Sequence, residues 1–176
     1  MAVDAAWLKD HIRDIPGFPS PGIIFKDITP LLADVEAFRG TVDTLADGFS
    51  DQRVDRVVGI EARGFILGAP VAYRLGAAFI PVRKPGKLPH EVEGLEYELE
   101  YGTDTLEVHR DALGPGHRTV IIDDVLATGG TAAAAAGLVE KLGGEVVGLG
   151  FLMELAFLDG RSRLEGREIL SLLVYD

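Results

Sequence analysis

The run Val120-Ile121-Ile122-Asp123-Asp124-Val125-Leu126-Ala127-Thr128-Gly129-Gly130-Thr131 places two carboxylates at the end of an apolar stretch. A turn of small residues with two glycines and two hydroxyls follows, and then a helix-forming segment. A helix start leaves N–H groups unpaired and presents the positive end of the helix dipole. Glycines let those groups close on an anion without a side chain in the way, and Thr128 and Thr131 add hydroxyl donors. These residues compose a phosphate cradle. Two carboxylates beside it would repel a bare phosphate, so the ligand must bring hydroxyls or a metal with it. A ribose phosphate does so, with 2′ and 3′ hydroxyls for Asp123 and Asp124. The plainer reading, a helix start with a glycine turn, accounts for one Asp or one Gly. It does not account for two acids followed by Thr-Gly-Gly-Thr. No Gly-x-Gly-x-x-Gly follows a strand and no Gly-x-x-x-x-Gly-Lys-Ser/Thr occurs, so neither a dinucleotide fold nor a P-loop is supported.

The elements that must hold this loop alternate along the chain. Residues 4–14 read as a short amphipathic helix. Pro16, Pro19 and Pro21 impose an extended segment to about residue 30. Val35, Phe38, Val42, Leu45 and Phe49 recur at helical steps over 34–50, with Asp34 at the N-cap position. Residues 56–60 and 77–82 read as buried strands around a helix at 64–75. An exposed loop is expected over 83–94. A hairpin is expected from 96–101 and 105–108, turning at Gly102 and Thr103. A strand at 119–122, a helix at 131–142 and strands at 146–153 and 169–174 complete the pattern. Trp7 and the phenylalanines other than Phe25 read most simply as core. Such alternation implies one α/β domain, a parallel twisted sheet flanked by helices. Ligands then bind beyond the carboxyl ends of the strands, after Ile60, Val82 and Ile122.

The chain has 176 residues, no cysteine and a formal net charge of −11. One domain with a real core fits that length. Disulfides, thiolate catalysis and zinc–thiolate sites are excluded, and the charge disfavours nucleic acid and anionic membranes. Arg83, Lys84 and Lys87 form a small basic cluster, enough for one multiply charged small molecule. His11, His90, His109 and His117 have no metal-ligand spacing and read as surface or structural. No stretch of 18 apolar residues occurs and the N-terminus lacks a signal-peptide pattern, so a cytoplasmic setting is expected.

Residues 120–131 resemble the phosphoribosyl pyrophosphate signature of the type I phosphoribosyltransferases, and more of the chain resembles the adenine-specific branch. Ile15-Pro16-Gly17-Phe18-Pro19-Ser20-Pro21-Gly22-Ile23-Ile24-Phe25-Lys26-Asp27-Ile28 looks like its base-recognition segment. Glu61-Ala62-Arg63-Gly64-Phe65 looks like its pyrophosphate loop. Arg83-Lys84-Pro85-Gly86-Lys87-Leu88-Pro89 and Leu99-Glu100-Tyr101-Gly102 look like the two ends of its mobile loop. The match is colinear over roughly residues 10–175. It is loosest over 156–170 and in the alanine-rich helix, neither of which is expected to carry chemistry.

The resemblance implies the type I phosphoribosyltransferase fold with a small N-terminal hood and a mobile hairpin loop. The base-binding segment would cover about 1–33 and the core about 34–176. Ala127, Thr128, Gly129, Gly130 and Thr131 would hold the 5′-phosphate, with Asp123 and Asp124 on the ribose. Glu61, Ala62, Arg63, Arg83, Lys84 and Lys87 would meet pyrophosphate, and a cis Glu61–Ala62 peptide is expected. Phe25 would stack on the purine, Ile24 and Lys26 would read its edge through their backbone, and Leu155 would cover its other side. Glu100, Tyr101 and Arg63 would be catalytic. The implied partners are adenine and phosphoribosyl pyrophosphate (PRPP), with Mg²⁺ carried by the substrate rather than by a protein cage. A homodimer follows from the match of Arg83 to a residue placed beside a partner's active site. Two rivals remain: a related enzyme for hypoxanthine-guanine, xanthine or orotate, and a PRPP-sensing regulator that binds nucleic acid. The 15–28 segment and Leu-Glu-Tyr-Gly speak against the first, and charge and length against the second.

Overall fold

The computed structural model describes residues 4–98 and 102–176. Five parallel strands form the central sheet: β3 (Arg56–Ile60), β4 (Ala78–Val82), β7 (Arg118–Leu126), β8 (Glu145–Leu155) and β9 (Ile169–Tyr175), in the order β4-β3-β7-β8-β9. Side chains alternate between its two faces, as the strand period of two requires. Val57, Val120 and Ile122 join one buried cluster, while Val58 and Ile121 join the other. The first cluster packs under α3 (Val35–Asp47) and α4 (Arg63–Leu75). The second packs under α5 (Gly130–Lys141), whose middle alanines let it lie close to the sheet. Both faces are dry, which is why these strands are near-continuous apolar runs.

Connectivity creates the site. From β3 the chain passes through α4 to β4 on one side, while β7 pairs with β3 on the other and leads through α5 to β8. The strand order therefore reverses between β3 and β7. The ends of two neighbouring strands part there and leave a crevice for a ligand. At the start of α4, Gly64 allows that crevice to close tightly: a Cβ there would lie 2.9 Å from the Asp123 carboxylate and from the Ile122 carbonyl.

Several boundaries differ from expectation. The first helix, α1, spans only Ala5–Lys9, capped by the Asp4 carboxylate. The proline-rich segment is not merely extended: β1 (Arg13–Pro16) and β2 (Ile24–Asp27) pair as an antiparallel ribbon, followed by a short α2 (Thr29–Ala33). Asp34 caps α3 as expected, accepting from the Glu36 and Ala37 amides. The exposed loop after β4 ends earlier than expected, because β5 (Val92–Glu98) begins at Val92 and pairs with β6 (Thr103–His109) along its full length. Strand β7 runs on through both aspartates to Leu126, since β8 continues to pair with it there. Trp7, Phe18 and Phe157 are 37%, 52% and 65% exposed, so they are not core residues. Trp7 instead packs at a tilt against His11, and Phe18 packs edge-on against Phe25.

Candidate active site

A cleft of about 320 Å³ opens at the strand reversal. Its lining brings together the 61–63 turn after β3, Lys84 after β4, Tyr97 from β5, and the continuous stretch 123–132. The sequence-derived phosphate cradle and pyrophosphate turn thus face one space. Two helix N-termini open on it. Neither α4, with N-cap Ala62, nor α5, with N-cap Gly129, has a side-chain cap bond. Their first-turn amides are therefore left for a ligand. Gly129 sits at φ 80, a conformation that glycine adopts without penalty. The Glu61–Ala62 peptide is cis.

The two aspartates differ in setting. Asp124 is 4% exposed and accepts from Arg63 Nε at 2.5 Å. Asp123 is partly exposed as a residue, but its carboxyl is enclosed against Gly64 and accepts from the Asp124 amide at 2.9 Å. Burial pushes the Asp123 carboxyl well above the usual carboxylate range, and the neighbouring Asp124 charge adds to the rise. An acid pair beside uncapped amides can accept hydrogen bonds from hydroxyls while the amides hold an adjacent anion.

The basic residues divide. Lys84 lines the cleft, and its ammonium pairs with Asp104 of β6. Among the described residues the lining includes neither Arg83 nor Lys87. The Arg83 fork donates to both oxygens of Glu61 at 3.2 Å, and the Lys84 amide adds a third bond at 2.9 Å. That arrangement holds the Glu61 carboxyl below its usual range, the Arg83 bond contributing most. Lys87 contributes its carbonyl to Arg83 at 3.4 Å.

The base-segment residues stand beside this cleft rather than in its lining. Arg63 bridges the two, its guanidinium 5.5 Å from the Phe25 ring centre. Lys26 donates to Asp14 at 2.7 Å and lies 4.2 Å over the Tyr175 ring. Tyr175 is the register partner of Leu155 at the end of β8. Lys26 therefore stands over the carboxyl ends of β8 and β9, where Leu155 lies, while Phe25 faces Arg63 and Ile24 pairs with Pro16 on the ribbon. Glu100 and Tyr101 lie outside the described residues.

Sequence reasoning missed Tyr97 and Asp104. The Tyr97 hydroxyl lies 3.4 Å from Asp104 and 3.5 Å from the Thr131 hydroxyl, so the hairpin is tied to both Lys84 and the phosphate loop. Their alternation on one hairpin face was the available signal, but it could not say which face meets the cleft. His90 and His109 lie edge to face at 6.1 Å, and among the described residues no cluster of three His, Cys, Asp or Glu could hold a metal. No helix of the described residues is long and apolar enough to cross a membrane.

Comparison with known proteins agrees with this geometry. Residues 32–168 match the phosphoribosyl transferase domain family. Adenine phosphoribosyltransferase of Solibacter usitatus is 60% identical over 169 residues, covering 96% of this chain and 98% of that protein. The crystal structure of adenine phosphoribosyltransferase from Thermoanaerobacter pseudethanolicus superposes with a TM-score of 0.95 at 55% identity, covering 98% of this chain and 100% of that one. The Saccharomyces cerevisiae enzyme, solved with an imino-altritol bisphosphate and adenine, gives a TM-score of 0.90 at 42% identity, over 96% of this chain and 98% of that one.

Proposed function

This chain belongs to the phosphoribosyl transferase family and, within it, to the adenine phosphoribosyltransferases, and from that premise we propose how its cleft works. The reaction moves the 5-phosphoribosyl group from PRPP to adenine, giving AMP and pyrophosphate. The observation that carries the assignment of roles is the pair of uncapped helix starts opening on one cleft, with an aspartate pair between them. The α5 start, residues 127–131, takes the 5′-phosphate. The α4 start, residues 61–64, takes pyrophosphate with Lys84. Asp123 and Asp124 hold the ribose hydroxyls between the two anions.

Mg²⁺ bound to PRPP would be part of that substrate and would supply positive charge against the pyrophosphate. The aspartate pair suits a ligand that brings a cation with it. Arg63 turns from Asp124 toward the leaving group, where its several donors stabilise the growing charge. Its side chain is 46% exposed, so that turn needs little repacking. Adenine lies against Phe25 and Leu155, with the backbone of Ile24 and Lys26 at its edge. As N9 bonds to C1′ the purine loses a proton, and Glu100 exchanges it while Tyr101 helps exclude water. In this reading residues up to about 33 form the base-binding part and 34–176 the core.

The working unit is a homodimer in the cytoplasm. What supports pairing is that Arg83, held by Glu61, stays outside its own cleft's lining while a third of its side chain remains exposed toward a partner. Val35 and Tyr73, 75% and 90% exposed, offer apolar surface for contact. Sedimentation at micromolar concentration should give a dimer, and a fully active monomer would contradict it. The activity itself is tested by AMP formation from PRPP with Mg²⁺. Adenine turnover should greatly exceed that of hypoxanthine, guanine or orotate, and comparable turnover of another base would move the chain to a different branch.

A further inference from the structure

Glu154 is 5% exposed and sits on β8 between Leu126 of β7 and Val174 of β9. A carboxylate in that place needs a partner that satisfies both oxygens. Arg161 provides it, with Nε and Nη2 each donating at 2.7 Å. The fork keeps the Glu154 carboxyl below its usual range.

The pair closes a short loop. Leu155 leaves the strand, 156–158 make one tight helical turn, Asp159 sits at φ 51, and Gly160 follows. Gly160 lies directly on the main chain of the phosphate loop. A Cβ on Gly160 would lie 2.2 Å from the Ala127 carbonyl oxygen, and one on Gly129 would lie 2.3 Å from the Gly160 carbonyl oxygen. A single turn therefore carries the base-facing Leu155 at one end and walls the phosphate cradle at the other. Neither Glu154 nor Arg161 lines the cleft among the described residues.

We propose that Glu154 and Arg161 are positioning residues for both substrates: their fork seats the 155–160 turn so that Leu155 at the base and residues 127–129 around the phosphate hold a common register. The proposal rests on the roles given above to Leu155 and the 127–131 loop. Arg161 is half exposed and Glu154 is buried, so the pair differs from a surface ion pair whose loss costs little.

Arg161→Lys keeps the charge but loses the fork. It should raise KM for both adenine and PRPP by about tenfold or more, the scale expected when a supporting contact lets a site drift by a fraction of an ångström. A merely structural role would lower Tm and leave both KM values unchanged well below the melting range. Gly160→Ala tests the contact with the ion pair intact. Gly160 is not in the left-handed region, so the added methyl acts through the Ala127 carbonyl. It should raise KM for PRPP more than KM for adenine. Leu155→Ala, measured alongside, should raise KM for adenine alone. If Arg161→Lys and Gly160→Ala both leave the two KM values within about twofold of the parent, the inference is overturned. The base-wall role then survives so long as Leu155→Ala still weakens adenine. If Leu155→Ala also has no effect, the role of Leu155 and the inference fall together.

Discussion

The part of the site proposed to hold phosphate, its phosphate side, and the part proposed to hold the base, its base side, are made of different material. The phosphate side continues a central strand of a five-stranded sheet into a helix whose first residues, Gly130 and Ala132, are buried. Its donors are mostly main-chain amides, aimed by the fold. The base side rests on the two-stranded β1–β2 ribbon, largely exposed, with Ile24 at 55%. Such a ribbon is marginal alone. Here it is held by Lys26 to Asp14, by Lys26 over Tyr175 and by Arg13 near Asp27 at 3.7 Å. An anion can be gripped by backbone, so that grip follows from where a strand and a helix meet. A flat heterocycle needs particular side chains stacked on it, so base choice is placed on a smaller, separately anchored element.

On this account the two sides bind, and neither handles the proton. Glu100→Gln keeps the size of the residue and removes proton exchange. It should lower kcat by about 10²-fold or more, the usual scale for a general acid–base group, with KM for PRPP nearly unchanged. Single-turnover measurement of AMP and pyrophosphate checks this. Near-normal turnover would remove Glu100 from the chemistry and hand it back to the two binding sides.

A smaller effect separates the sides by pH. Burial raises the Asp123 carboxyl well above its usual range, so the folded chain holds that proton where the unfolded chain has lost it. Its contribution to stability is full below the ordinary carboxylate pKa near 3.8 and is lost as pH rises through the raised value. Asp123→Asn should therefore melt higher than the parent at pH 8, with the gap closing toward pH 4. Each kcal/mol recovered adds about 2–4 °C for a chain of this size. Activity should fall in the same variant, because the carboxylate proposed to hold the ribose is lost. A melting point unchanged at pH 8 would mean that the carboxyl carries no burial cost. The lowered Glu61 carboxyl works in the opposite sense, losing its contribution as pH falls through its depressed value.

How much could be read beforehand follows the same division. Strand β3 spans the expected 56–60, and Asp34 caps α3, because apolar periodicity and capping are local signals. The uncapped helix start that lines the cleft at 127–131 was legible from residue types alone, since glycines and hydroxyls at a helix start have few other uses. The 15–28 segment was legible only through family resemblance: its prolines announce an extended chain but not the ribbon pairing of Ile15 with Phe25. Strand propensity disfavours aspartate, so β7 read four residues short; pairing with β8 overrides that preference. Tyr97, Asp104 and the Glu154–Arg161 fork were hidden because each acts through a partner brought from a different element or across a turn.

The comparison is tested most directly by measuring KM for adenine and for PRPP on two variants, Phe25→Ala and Thr131→Val. Losing an aromatic platform under a base costs about 1–3 kcal/mol, so Phe25→Ala should raise KM for adenine about tenfold. Arg63 also touches the Phe25 ring, but such a partly exposed cation–π contact is worth about 0.5–1 kcal/mol, so KM for PRPP should rise less than about fivefold. Thr131→Val keeps the shape and removes one hydroxyl donor to a charged ligand. It should raise KM for PRPP about tenfold and leave adenine nearly unchanged. A crossed pattern of this kind is the predicted result. The same constant rising in both variants would contradict the division of the cleft into a phosphate side and a base side.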